Sequence, residues 1–186
     1  MNKPEYILLW GSNIWLFADG MLGPLFSIFS QQKGGNIFDI TWAWAIYLGC
    51  TGIFVMIVGN LSDRISKEKL LVTGYALTAL CTFGYLLVES PFQLFLVQAG
   101  LGLALGLCNP TWFALYDKHM PPKRRGYAWG LEDGLGKILV AVAILLGGFI
   151  VEQYSFQTLF ITMGTIQIIA TLYMAQILMG KKSKSS

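Results

Sequence analysis

The chain has 186 residues, 55% of them hydrophobic and only 12% charged, with a mean hydropathy of +0.59. Those values lie outside ordinary soluble domains, and a water-soluble helical bundle would need polar outer stripes that these segments lack. The net charge of +3 sits in short loops and a tail, so it does not point to nucleic acid.

A bilayer crossing needs about 20 apolar residues. Six stretches meet that need, with spans expected at 7–30, 40–61, 69–88, 91–115, 127–151 and 155–179. The links between them are short and leave no room for a second domain. Residues 1–186 therefore read as a single domain of the all-α integral membrane class, a six-transmembrane-helix bundle surrounded by the lipid bilayer.

Lys3 precedes the first apolar run, as in a signal peptide. The run is too long for one and has no small-residue cleavage site after it, so it reads as a retained first helix. It is interrupted by Asp19, thirteen residues into the span. At about 1.5 Å per residue that depth is near mid-membrane. An ionisable group there is costly and usually faces a bundle interior or a watery cavity. Its carboxylate fits binding of a proton, a cation or a cationic substrate group; a hydrogen-bonded structural aspartate is the alternative. Trp15 and Ser12, one and two turns earlier, share its stripe. Pro24, and later Pro110, fall within apolar runs and should kink their helices.

The second span ends in Gly59-Asn60-Leu61-Ser62-Asp63-Arg64-Ile65-Ser66-Lys67-Glu68-Lys69-Leu70. A glycine that packs the helix end is followed by an aspartate and an arginine at the surface, then by cations that close a turn. Pro91 opens the fourth span at a position where its missing N–H is harmless. That span holds Gly102 and Gly106, while the fifth repeats glycine at Gly126, Gly130 and Gly134; such small-xxx-small spacing permits close helix approach. The fifth also carries Glu132, Asp133 and Lys137. Asp133 and Lys137 are four apart and can pair on one face, either as a structural pair or as part of a charge relay. Trp10, Trp42, Trp44 and Trp129 lie near span ends, where an interfacial belt accounts for them; Trp112 is ambiguous.

Lysines and arginines alternate sharply by side. Lys3, Arg64, Lys67, Lys69, Lys118, Lys123, Arg124, Arg125, Lys181, Lys182 and Lys184 share one side, with Lys33 opposite. The positive-inside rule then places both termini in the cytoplasm of a multi-pass cell-membrane protein. Cys50, Cys81 and Cys108 fall in apolar spans without paired spacing and read as small buried hydrophobes. His119 is alone in a loop. No nucleophile–base set, phosphate loop or metal cluster emerges, so neither an enzyme nor a cofactor or metal is expected.

The segment from Gly59 to Leu70, placed between the second and third spans, resembles the signature between helices 2 and 3 of the major facilitator superfamily of transporters. Pro110-Thr111-Trp112-Phe113-Ala114, the loop Pro121–Gly126, Gly130 and Gly147-Gly148 resemble the helix 4–5 region of that family's amino-terminal half. Ser66, Glu68, Leu96 and Ala143-Ile144 depart from its pattern. The resemblance implies one half of the major facilitator fold and alternating-access transport of a small molecule or ion. It makes Gly59, Asp63, Arg64, Lys67 and Lys69 a gate motif, with Asp63 accepting hydrogen bonds from an opposing helix N-terminus. It also adds Gln98 and Asn109 as polar candidates, because the first and fourth helices line that family's central cavity. A half implies a complement. Self-association as a parallel dimer, pairing with a separate six-helix half, and a non-transporting membrane interaction or regulatory role all remain open.

Overall fold

The computed structural model describes residues 3–62 and 64–182, with side chains described to residue 178. Among the described residues the chain is helical with no strand. In order, the helices are α1 (Lys3–Gly20), α2 (Leu25–Gln32), α3 (Ile37–Leu61), α4 (Lys67–Gly84), α5 (Pro91–His119), α6 (Arg125–Gln153) and α7 (Phe156–Lys182). Short 3-10 turns extend α4 to Leu87 and precede α6. Five segments are long and apolar enough to cross a membrane: those built on α3, α4, α5, α6 and α7.

The first expected span is not one helix. Gly20 ends α1, and Met21 and Leu22 donate to the carbonyls of Ala18 and Asp19, both at 3.3 Å, before Pro24 opens α2. Proline removes a helix donor and crowds the carbonyl four residues back, and flanking Gly20 and Gly23 let the chain turn. Pro110 behaves differently: α5 continues through it.

Polar side chains fix the other ends. Asn36 and Asp39 form a reciprocal capping box on α3, with Asn36 N–H donating to Asp39 Oδ2 at 2.8 Å and Asp39 N–H to Asn36 Oδ1 at 3.1 Å. At the far end Lys67 Nζ donates to the Ser62 carbonyl at 2.7 Å, placing a cation at the negative end of α3.

The principal packings are α3 on α5, α5 on α4, α4 on α7, α7 on α1 and α1 on α6, with α1 also touching α5. Exchanging α1, α3 and α4 for α5, α6 and α7 maps these packings onto one another, but α6 also touches α7 to the same extent as α1 touches α5, without an equal α3–α4 counterpart. The five largest packings thus follow a three-plus-three relation although no sequence repeat is visible. It leaves α3 and α6 as the two edges.

The core divides into two apolar clusters. One gathers Leu8, Leu71, Trp112, Tyr116 and Met174; the other gathers Phe26, Phe29, Tyr85, Leu94 and Phe160. Along α1, α4 and α7, buried Asn13, Thr78 and Gln167 fall between the residues of the two clusters. A polar layer thus crosses the bundle at mid-length.

Candidate functional site

Two hollows adjoin on one side of the bundle and share Trp15 and Leu105. The larger, about 570 Å³, lies between α1, α4, α5 and α6 and is lined by Ser12, Trp15, Asn109, Trp112, Trp129 and Glu132, among others. The smaller, about 90 Å³, is lined by Trp15, Asp19, Trp44, Tyr47, Tyr85 and Gln98, among others. The residues expected from sequence at 12, 15, 19, 98 and 109 are therefore brought to one continuous surface.

Asp19 occupies the last turn of α1, where the Leu22 N–H reaches its carbonyl at 3.3 Å. A carboxylate at a helix C-terminus is opposed by the helix dipole, so the break that follows Asp19 does nothing for its charge locally. The residue is exposed on the hollow in this chain. Across it, Gln98 is buried and accepts a long 3.5 Å hydrogen bond from the Tyr85 hydroxyl. Nearer the start of α1, Ser12 Oγ and Asn13 Nδ2 both donate to the Leu9 carbonyl, at 2.9 and 2.7 Å. Asn13 Oδ1, Trp15 Nε1 and both amide atoms of Gln167 are shielded from solvent and have no partner.

Aromatic rings form the wall of the larger hollow. Trp112 stacks on Tyr116 with centroids 4.7 Å apart and meets Trp129 edge-on at 6.0 Å. Trp112 Nε1 donates across to the Leu8 carbonyl at 3.4 Å, and the Tyr116 hydroxyl donates to the Ala128 carbonyl at 3.0 Å. These bonds tie α5 to α1 and to α6. Trp129 and Trp44 thus line the two hollows, a placement that an interfacial belt does not describe. Glu132 and Asp133 also border the larger hollow, and Asp133 accepts from Lys137 Nζ, the two being largely exposed.

Asp63 lies outside the described residues. The helix end before it is packed on one side only: Val58 and Ser62 are buried, whereas nothing in this chain comes within 4 Å of a Cβ placed at Gly59, and Arg64 and Lys69 are exposed. Gly126, Gly130 and Gly134 are open in the same way. The glycines of α5 are filled instead, since a Cβ at Gly102 would stand 2.8 Å from Cys50 Cβ. All three cysteines are unpaired; Cys108 is buried and the others half-buried.

The family model of the Major Facilitator Superfamily matches residues 8–186. The chain belongs to the major facilitator superfamily. Among its relatives, multidrug resistance protein MdtG of Enterobacter lignolyticus is 22% identical over 160 residues, covering 84% of this chain and 38% of the relative. MdtG of Escherichia coli O17:K52:H18 is 22% identical over 179 residues, covering 93% of this chain and 44% of the relative. The chain spans about two-fifths of the length of the curated relatives it matches. As a facilitator-superfamily chain with several membrane-crossing helices it is a multi-pass membrane protein of a transporter family.

Residues missed by sequence reasoning are Asn13, Tyr47, Tyr75, Thr78, Tyr85 and Gln167. Asn13 and Gln167 had a usable signal, since each is an amide inside an apolar span. The tyrosines and threonine had none, because such residues are ordinary in membrane helices.

Proposed function

We propose that this chain supplies one half of a solute transporter working by alternating access, with α1 and α2 together making a broken sixth crossing and both termini in the cytoplasm. The observation that carries it is the pairing of a polar hollow with two uncovered edges. Asp19, Gln98 and Asn109 border hollows flanked by α3 and α6, whose glycines 59, 126, 130 and 134 meet nothing. Facing lipid, this hollow would leave a carboxylate and amides poorly solvated. Facing a second half, it becomes a central path.

In this reading Asp19 binds the solute or a coupling ion, Ser12 and Trp15 extend that surface, and Asp63 with Arg64 latches the cytoplasmic edge against the opposing half. The complement is a second copy of this chain: two halves of a facilitator transporter are parallel repeats about an axis along the membrane normal, and copies with both ends on one side satisfy that relation unaltered. A second reading, a distinct six-helix half, draws support from the relatives' length, of which this chain spans 38–44%. The relatives' printed name, multidrug resistance protein, suggests drug-like solutes.

Uptake into proteoliposomes across a substrate panel, with and without a pH gradient, tests the proposal. Asp19→Asn should preserve insertion and abolish concentrative uptake or shift its pH dependence. Unchanged uptake from pH 5 to 8 would leave Asp19 a structural residue. Activity that arises only with another six-helix protein present would select the second reading.

A further inference from the structure

We infer that a separate hollow at the start of α6 binds the phosphodiester headgroup of an anionic phospholipid, with an acyl chain running along the outer face of that helix. The inference does not depend on transport. The hollow holds about 270 Å³ and is lined by Pro121, Lys123, Arg124, Tyr127, Ala128 and Leu131, with Glu5 of α1 and Tyr116 of α5. Arg124, Tyr127, Ala128 and Leu131 fall at positions i, i+3, i+4 and i+7 and so share one face. Trp129, Glu132 and Asp133, which border the 570 Å³ hollow, lie on the opposite side of the same helix.

Two cations stand here without a partner. Lys123 and Arg124 are exposed, and no carboxylate pairs with either among the described residues. Arg125, next in the chain, is taken up by Asp117 at 3.5 Å. No side chain caps α6, a helix of 29 residues, so its first N–H groups and positive end add to the same field. Glu5 is buried and already engaged within the chain. Two cations against that one carboxylate leave a single positive charge on the lining, the complement of a phosphodiester.

Basic pockets between membrane helices suit phospholipid headgroups, and the apolar surroundings favour a lipid over a soluble anion. Beyond Leu131 the same face of α6 continues with Ile138, Val142, Leu145 and Phe149, all exposed. From residue 131 to residue 142 the strip rises about 16 Å, at about 1.5 Å per residue. That is close to half of a hydrocarbon core about 30 Å thick, the depth one acyl chain covers below a headgroup seated in the hollow. The strip lies about a quarter turn round the helix from the glycines at 126, 130 and 134, so a bound lipid leaves their stripe open.

The test uses the purified full chain in detergent, with phosphatidylglycerol and phosphatidylcholine of the same acyl chains as probes. Bound lipid is counted by native mass spectrometry over a titration. A single phosphatidylglycerol should bind at least tenfold more tightly than phosphatidylcholine. Lys123→Gln with Arg124→Gln should weaken it at least tenfold. Lys118→Gln with Arg125→Gln removes the same charge from the same loop outside the hollow, and should change it less than twofold. Glycerol phosphate in hundredfold excess should not displace the lipid. Equal binding of the two lipids, or equal weakening by the two double variants, would overturn the inference by showing only diffuse attraction. Displacement by glycerol phosphate would make a soluble anion the ligand and overturn the lipid assignment. If the Lys123→Gln, Arg124→Gln protein does not purify, the ratio of the two lipids and the competition in the parent chain decide.

Discussion

Two helices of this chain carry glycines at four-residue spacing, and the structure treats them in opposite ways. On α5, Gly102 and Gly106 are met by α3, with a Cβ at Gly106 standing 3.2 Å from Phe54 Cα. On α6, Gly126, Gly130 and Gly134 meet nothing within 4 Å. Identical spacing marks a seam already closed in one helix and an open face in the other. The spacing says only that a backbone can come close; which backbone does so depends on the fold.

The closed seam should fail first when it is filled. Gly102→Leu forces a branched side chain against Cys50 and the Thr51 amide, the latter 3.2 Å from the added Cβ. Overpacking of this kind costs about 1–3 kcal/mol and sometimes more. The midpoint of denaturant-induced unfolding in detergent should fall by a corresponding amount. An unshifted midpoint would mean that α3 slides freely on α5 and that this seam is not fixed.

That contrast also marks how much was legible beforehand. Span positions came from hydropathy, because lipid imposes the same apolar requirement on every crossing. The break after Gly20 was signalled by Pro24, but its severity depended on packing: a Cβ at Gly147 of α6 would stand 2.9 Å from the Met21 carbonyl carbon, so α6 accommodates the turn only because residue 147 is glycine. The depth of Asp19 followed from counting residues, whereas its company of Tyr47, Tyr85 and Thr78 did not. Those residues come from other helices, and no local pattern distinguishes a hollow-facing tyrosine from a lipid-facing one. Gly59 illustrates the limit most sharply. Its motif suggests a glycine packed at a helix end, yet inside this chain Val58 and Ser62 are the buried residues there and the Gly59 face meets nothing.

A smaller effect is expected where a single hydrogen bond holds the open helix to the closed part. The Tyr116 hydroxyl donates to the Ala128 carbonyl at 3.0 Å, joining α5 to the first turns of α6. Tyr116→Phe keeps the ring stacked on Trp112 and removes only this bond. A loss of about 0.5–1.5 kcal/mol is expected. Hydrogen exchange should rise in the first turns of α6 and remain unchanged in α3. A uniform rise across the chain would show that α6 is not separately tethered.

The smallest effect on the chain's own stability, and the most informative, belongs to the open face. Gly134→Leu places a side chain where nothing stands within 4 Å and replaces a poor helix former with a good one. Stability should change by no more than about 0.5 kcal/mol, or rise slightly from helix propensity. Association should respond quite differently. In a parallel pair about a two-fold axis, each chain's α3 end meets the other's α6 start, and a patch altered once is altered at both contacts. Cysteines at Ser62 and Tyr127 should then crosslink between copies in native membranes, and Gly134→Leu should suppress that crosslink while leaving the unfolding midpoint in place. Crosslinking that persists unchanged with leucine at 134 would place the partner elsewhere. A chain that stays monomeric in bilayers and still moves solute would show that the glycines of α6 face only lipid.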